Sequence, residues 1–124
     1  MKVLIVDDEP NILLSLDFLM RKEGYDVFVA RDGSEALMII KDQVPDIVLL
    51  DIMMPLVDGY QVCQQVKGAA PTAHTKVIFL SAKSKEEDIK KGYSMGADLY
   101  LTKPFSTRVL MKHIKAFAAE SSVK

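Results

Sequence analysis

The chain of 124 residues has one cysteine, Cys63, and no tryptophan. A lone thiol cannot close an internal disulfide, which fits a reducing compartment, and the cytoplasm is the expected location. No apolar run approaches the roughly 20 residues needed to cross a bilayer, and no signal-peptide anatomy follows Met1. No membrane association is expected. Histidine is scarce too: His74 and His113 stand alone and read as surface residues, so there is no Cys/His cluster for a borderline metal. Neither a glycine-rich phosphate loop nor a dinucleotide fingerprint is present, which argues against nucleotide binding. The formal net charge is −1, so nothing drives the chain as a whole toward nucleic acid or anionic lipid. Direct nucleic-acid binding is not expected, since no recognition domain follows the last helical segment.

What is present is ordinary for a folded domain. The composition is 49% hydrophobic and 27% charged, too apolar for disorder, and the length suits a single core. Charge is unevenly spread. Residues 1–58 carry twelve acidic and five basic side chains, whereas residues 83–115 carry eight basic and four acidic ones. Solvated helix faces explain this simply. An acidic pocket for a cation at one end and a separate docking surface at the other explain it more specifically.

Two kinds of segment alternate. Short β-branched and aliphatic runs occur at Val3–Val6, Val27–Ala30, Ile47–Leu50, Val77–Leu80 and Leu99–Leu101. They are almost continuously apolar, as parallel strands covered on both faces must be. Between them the spacing is helical, with Ile12, Leu16 and Leu19 in the first such stretch and Leu110, Ile114 and Phe117 in the last. Pro10 fits a first helical turn, Asp32…Glu35 and Ser84…Glu87 have capping-box spacing, and Ser106 suits an N-cap. The pattern is (βα) five times over, an α/β doubly wound three-layer sandwich. One domain is expected over residues 1–120, with a C-terminal tail at 121–124.

In such a sheet ligands bind beyond the carboxyl ends of the strands. The first strand runs into Asp7 and Asp8, the third into Asp51, the fourth into Ser81 and the fifth toward Lys103. These side chains are therefore expected on one rim. Carboxylates gathered there repel one another and raise each other's pKa unless a cation intervenes. Oxygen-only ligands with room for water favour magnesium over calcium. A carboxylate can itself be a nucleophile toward phosphorus, and phosphoryl transfer mainly needs positioning and neutralised charge. Asp51, at the end of the central strand, stands where that nucleophile belongs. Each residue alone has a plain explanation as a turn, cap or solvated side chain. Their convergence is what points to chemistry.

The acidic pair Asp7-Asp8, the run from Asp51 through Pro55 to Asp58-Gly59, the pair Ser81-Ala82 and the pair Lys103-Pro104 together resemble the response-regulator receiver domain of two-component signalling. The resemblance covers essentially the whole chain. It implies a flavodoxin-like receiver fold with a five-stranded parallel sheet of order 2-1-3-4-5. It implies a phosphoacceptor switch, catalysing only its own phosphorylation and dephosphorylation, in which Asp51 takes a phosphoryl group from a sensor histidine kinase or histidine phosphotransfer protein. Asp8 and Asp51 would bind Mg2+ directly, Asp7 through water and Met53 through its backbone carbonyl. Lys103 would contact the phosphoryl oxygens, as would the backbone of Met53 and Ala82, and the Lys103–Pro104 bond would be cis.

The resemblance also implies a switch. Ser81 would move to the phosphoryl group and Tyr100 would rotate inward behind it, while Met53 and Lys83 would tune phosphoryl lifetime. Ser81 stands where threonine is commoner in the family, keeping the hydroxyl and losing a methyl. The fourth helical segment suits the moving part: Ile89 is its main apolar anchor before Tyr93, and Gly92 weakens it by up to about 1 kcal/mol. The face of the fourth helix, fifth strand and fifth helix would carry Lys85, Lys90, Lys91, Arg108 and Lys112 around Tyr100. An acidic partner or a second copy of the chain would dock there. Two other readings compete with it: a dehalogenase-like phosphatase, disfavoured by Met53 where a second aspartate belongs, and a receiver-like binding module that does not use phosphorylation.

Overall fold

Each of the five apolar runs becomes a strand, and each intervening stretch carries a helix. The structure is a computed structural model and describes residues 1–123, with side chains described for residues 1–120. In chain order the elements are β1 (Lys2–Val6), α1 (Pro10–Lys22), β2 (Asp26–Ala30), α2 (Gly33–Gln43) and β3 (Ile47–Leu50). They continue with α3 (Gly59–Gly68), β4 (Lys76–Ser81), α4 (Glu86–Ser94), β5 (Leu99–Thr102) and α5 (Thr107–Val123). The strands form one parallel sheet of order β2-β1-β3-β4-β5, the flavodoxin-like order. The expected tail at 121–124 falls on positions whose side chains, and at Lys124 the whole residue, lie outside the described residues.

The strands read as unbroken apolar runs because alternate residues enter two different cores. Leu4, Val6, Val48, Leu50, Val77 and Phe79 pack with Ala36, Ile40, Val62 and Val66 of α2 and α3. Val3, Ile5, Ile47, Leu49, Ile78 and Leu80 face Leu13, Leu16 and Met20 of α1 and Leu110 and Ile114 of α5. Every one of these side chains is buried, and each of the larger ones (all but Ala36) contributes on the order of 1.5–3 kcal/mol relative to exposure. The α1 stripe is rotated slightly from the expected one: Leu13 and Met20 are buried, whereas Ile12 and Leu19 are only partly so.

The helix signals resolve individually. Pro10 opens α1, and the Asp32 carboxylate accepts from the N–H of Glu35 at 2.8 Å. Ser106 accepts from the N–H of Val109 at 3.3 Å and so caps α5. Ser84 does not cap α4. That helix begins at Glu86 with Lys85 at the N-cap, so Ser84 lies one residue too early, and Glu86, Glu87 and Asp88 complement the helix dipole instead. A capping box does form at Asp58 and Gln61, which start α3. Among the described residues no helix is long and apolar enough to cross a membrane.

Candidate functional site

β1 and β3 are neighbours at the centre of the sheet, so their carboxyl ends deliver Asp7, Asp8 and Asp51 to one place. A carboxylate oxygen from each of the three lies within 4.8 Å of the others. Asp7 is 2% exposed and Asp51 5%, while Asp8 opens to solvent. Backbone bonds hold the pair in register: Asp51 N–H donates to Val6 O at 3.0 Å and Asp7 N–H to Ala30 O at 3.2 Å. The Asp51 carboxylate accepts from the N–H groups of Ile52 and Met53.

Lys103 arrives from the far side of the sheet. Its ammonium donates to Asp7 Oδ2 at 2.9 Å and to Glu9 Oε1 at 3.3 Å. The peptide bond from Lys103 to Pro104 is cis, as expected from the resemblance. Burial alone would lower the Lys103 ammonium, but the Asp7 hydrogen bond and the Asp51 charge outweigh it and hold the pKa above its usual value. Asp51 is also raised, but for a carboxyl that disfavours the charged form. Burial, and after it the neighbouring Asp7 charge, pushes its carboxyl up to about 6 against the pull of Lys103. One ammonium thus faces three carboxylates, two of them buried. The donors are all oxygen, so the cluster of Asp7, Asp8 and Asp51 fits a hard divalent cation such as Mg2+.

The loop after β3 is built tightly around Asp51. Gly59 N–H donates to Ile52 O at 2.9 Å, and any side chain at Gly59 would overlap the Asp51 carbonyl oxygen. Leu56 at the loop tip has φ +67° and is almost wholly exposed. Met53 also faces solvent.

Ser81 and Tyr100 come from β4 and β5, the two strands that follow β3 across the sheet. Ser81 is buried at the end of β4, and its Oγ accepts from Lys83 N–H at 3.2 Å. Ala82 follows it in the open. Tyr100 is turned inward, 7% exposed, with its hydroxyl donating to Lys83 O at 2.6 Å and lying against the hydroxyls of Ser81 and Tyr60. Its ring follows Phe79, itself edge-on to Tyr60, with centroid separations of 5.8 and 5.7 Å. Lys83 sits between the two parts: its ammonium is 3.9 Å from the Asp88 carboxylate. The five basic residues expected on the docking face, Lys85, Lys90, Lys91, Arg108 and Lys112, are all exposed. Tyr100, around which they were expected, is itself buried.

Three contributors were not singled out in the sequence. Glu9 shares Lys103, and its only signal was its place directly after the acidic pair. Tyr60 follows Asp58-Gly59, so its position was marked by the motif although its contact with α4 was not. At the opposite end of the sheet Asp98 joins Lys67 at 2.9 Å and Lys76 at 3.8 Å and accepts from Val77 N–H at 2.8 Å. That network braces the fold and lies away from the acidic cluster.

The family described as "Response regulator receiver domain" matches residues 3–115. The chain belongs to this family, the receiver domains of two-component signalling. Solved structures agree with the assignment. The receiver domain of the Francisella response regulator 1452 is 34% identical, with 97% of this chain and 98% of that one covered and a TM-score of 0.88. A BeF3-activated DrrB receiver domain is 33% identical over 95% and 97%, with a TM-score of 0.87. The signal receiver domain of a signal transduction histidine kinase from Syntrophus aciditrophicus is 32% identical over 96% and 90%, with a TM-score of 0.89.

Proposed function

We propose that the chain is a phosphorylation-controlled switch in which Asp51 accepts a phosphoryl group from the phosphohistidine of a sensor histidine kinase or histidine phosphotransfer protein. The observation that carries this reading is the nearly buried Asp51 carboxylate at the end of the central strand, grouped with Asp7 and Asp8 within 4.8 Å. A carboxylate oxygen of Asp51 attacks phosphorus, the phosphorus–nitrogen bond breaks, and the imidazole departs with its electron pair. The N–H groups of Ile52 and Met53 orient the attacking carboxylate. Bound Mg2+, with Asp8 and Asp51 and the Met53 carbonyl as ligands and Asp7 behind water, would offset the carboxylates and the charge on the transferred group. Lys103 supplies the remaining positive charge and contacts the phosphoryl oxygens, as do the backbone groups of Met53 and Ala82.

Phosphorylation adds close to two negative charges and three acceptor oxygens at Asp51. Ser81 donates its hydroxyl to one of them, and the inward Tyr100 closes behind it. Met53 and Lys83, flanking the reacting group, set how long the phosphoryl survives. The unit responsible spans residues 1–120, and its output leaves through the α4–β5–α5 face to a protein partner or a second copy of the chain.

Intact mass after incubation with acetyl phosphate tests this reading. One phosphoryl adduct that requires Mg2+ and is missing from Asp51→Asn is the expected result. An adduct that persists in Asp51→Asn would overturn it.

A further inference from the structure

Helix α4 has almost no hydrophobic grip on the rest of the protein. Of its nine residues only Gly92 is buried, with Ile89 partly so. A glycine offers no side chain to bury, so the usual apolar stripe is missing. Phenol hydroxyls fasten the helix instead. Tyr60 of α3 donates to the carbonyl of Asp88 at 3.1 Å, using the lone pair that the helical hydrogen bond leaves free. The Lys91 ammonium lies 4.5 Å over the centroid of the same ring. At the other end of α4 the Tyr93 hydroxyl accepts from Tyr100 N–H at 3.1 Å.

Tyr60 is also fixed to the phosphoacceptor loop. It follows Gly59, whose backbone presses on the Asp51 carbonyl, and the Asp58–Gln61 capping box locks the first turn of α3. Its ring stands edge-on to Phe79, which continues to Tyr100. Burial pushes the Tyr60 phenol up to about 12, so the hydroxyl remains a donor throughout the working pH range.

We propose that Tyr60 is a positioning residue of the switch: its hydroxyl on Asp88 and its ring beneath Lys91 tie the Asp51 loop directly to α4, in parallel with the Ser81–Tyr100 route. The inference rests on Asp51 being the phosphoacceptor. It makes Tyr60 the link through which a shift of the β3–α3 loop reaches the docking face, and it makes Lys91 part of that link before it is part of any partner contact.

Amide hydrogen exchange across α4 tests it, with Tyr60→Phe and Lys91→Met compared with wild type, with and without beryllofluoride and Mg2+. Tyr60→Phe keeps the ring and its packing, so folding is preserved while the hydroxyl is removed. The expected result is exchange about three- to tenfold faster at residues 86–94. Protection of α1 and β1 and the yield of Asp51 adduct stay at wild-type values, and the α4 response to beryllofluoride is reduced. Lys91→Met should give a smaller change in the same segment. Wild-type α4 exchange in Tyr60→Phe, or a loss of protection spread equally over α1 and β1, would overturn the proposal. A wild-type protein that forms no adduct at Asp51 would instead overturn the phosphoacceptor reading on which it rests.

Discussion

Gly92 and Tyr100 pack against each other because position 92 has no side chain: a Cβ there would lie 2.7 Å from Cδ2 of the Tyr100 ring and 3.2 Å from Cδ2 of Phe79. The glycine that weakens α4 as an isolated helix is what lets the helix close over the inward tyrosine.

A branched side chain at this position should therefore exclude the inward ring. Gly92→Leu is expected to keep Asp51 phosphorylation within about twofold of wild type while breaking the Tyr100–Lys83 hydrogen bond. Amide chemical shifts at Lys83 and Tyr100 that no longer respond to beryllofluoride would report this. Unchanged responses would show that α4 can shift enough to admit both groups.

The strands were legible because a central parallel strand must be apolar on both faces, and that leaves an unbroken run such as Val3–Val6 whatever the rest of the chain does. The rim followed from where those runs end, and Asp7, Asp8 and Asp51 do meet there. Capping was less legible, since it depends on a helix starting at one particular residue. Asp32 and Ser106 were at the right place, whereas Ser84 was one residue early. The contacts that fasten α4 could not be read at all. Tyr60 meets Asp88 across 28 positions, and no periodicity records a hydroxyl reaching a carbonyl on another helix.

Stability of the metal-free protein should depend on the charge of Asp51. Its folded pKa, about 6, lies above the model-compound value of 3.8, so the protonated form favours folding. That contribution is full below about pH 4 and is lost as the pH rises through 6. Asp51→Asn is thus expected to stabilise the metal-free protein at pH 8, by up to about 3 kcal/mol for a shift of roughly two units, and to do little at pH 4. Urea unfolding at the two pH values, without and with Mg2+, checks this. Added Mg2+ should close most of the gap at pH 8.

Val44 ends α2 in the left-handed region, at φ +45°, a conformation that a β-branched residue resists. Val44→Gly should relieve that strain and raise stability by about 0.5–1 kcal/mol, after the greater chain entropy of glycine is subtracted. The denaturation midpoint should rise with no change in its slope.

Cys63 is fully buried against Met95, its thiol 3.5 Å from the Met95 carbonyl, and burial pushes its pKa up to about 11. It should resist thiol-directed reagents at pH 8 in the folded protein and react at once in denaturant. Labelling of the native protein at the unfolded rate would show that α3 opens far more freely than its packing implies.

The most direct test of the account is to locate the phosphoryl group itself. Treating the acetyl phosphate adduct with borohydride converts an aspartyl phosphate to homoserine, which peptide mass analysis assigns to one position. The account requires that residue to be at position 51, formed in the presence of Mg2+ and absent without it. Homoserine at Asp7, Asp8 or any other carboxylate in place of Asp51 would contradict it.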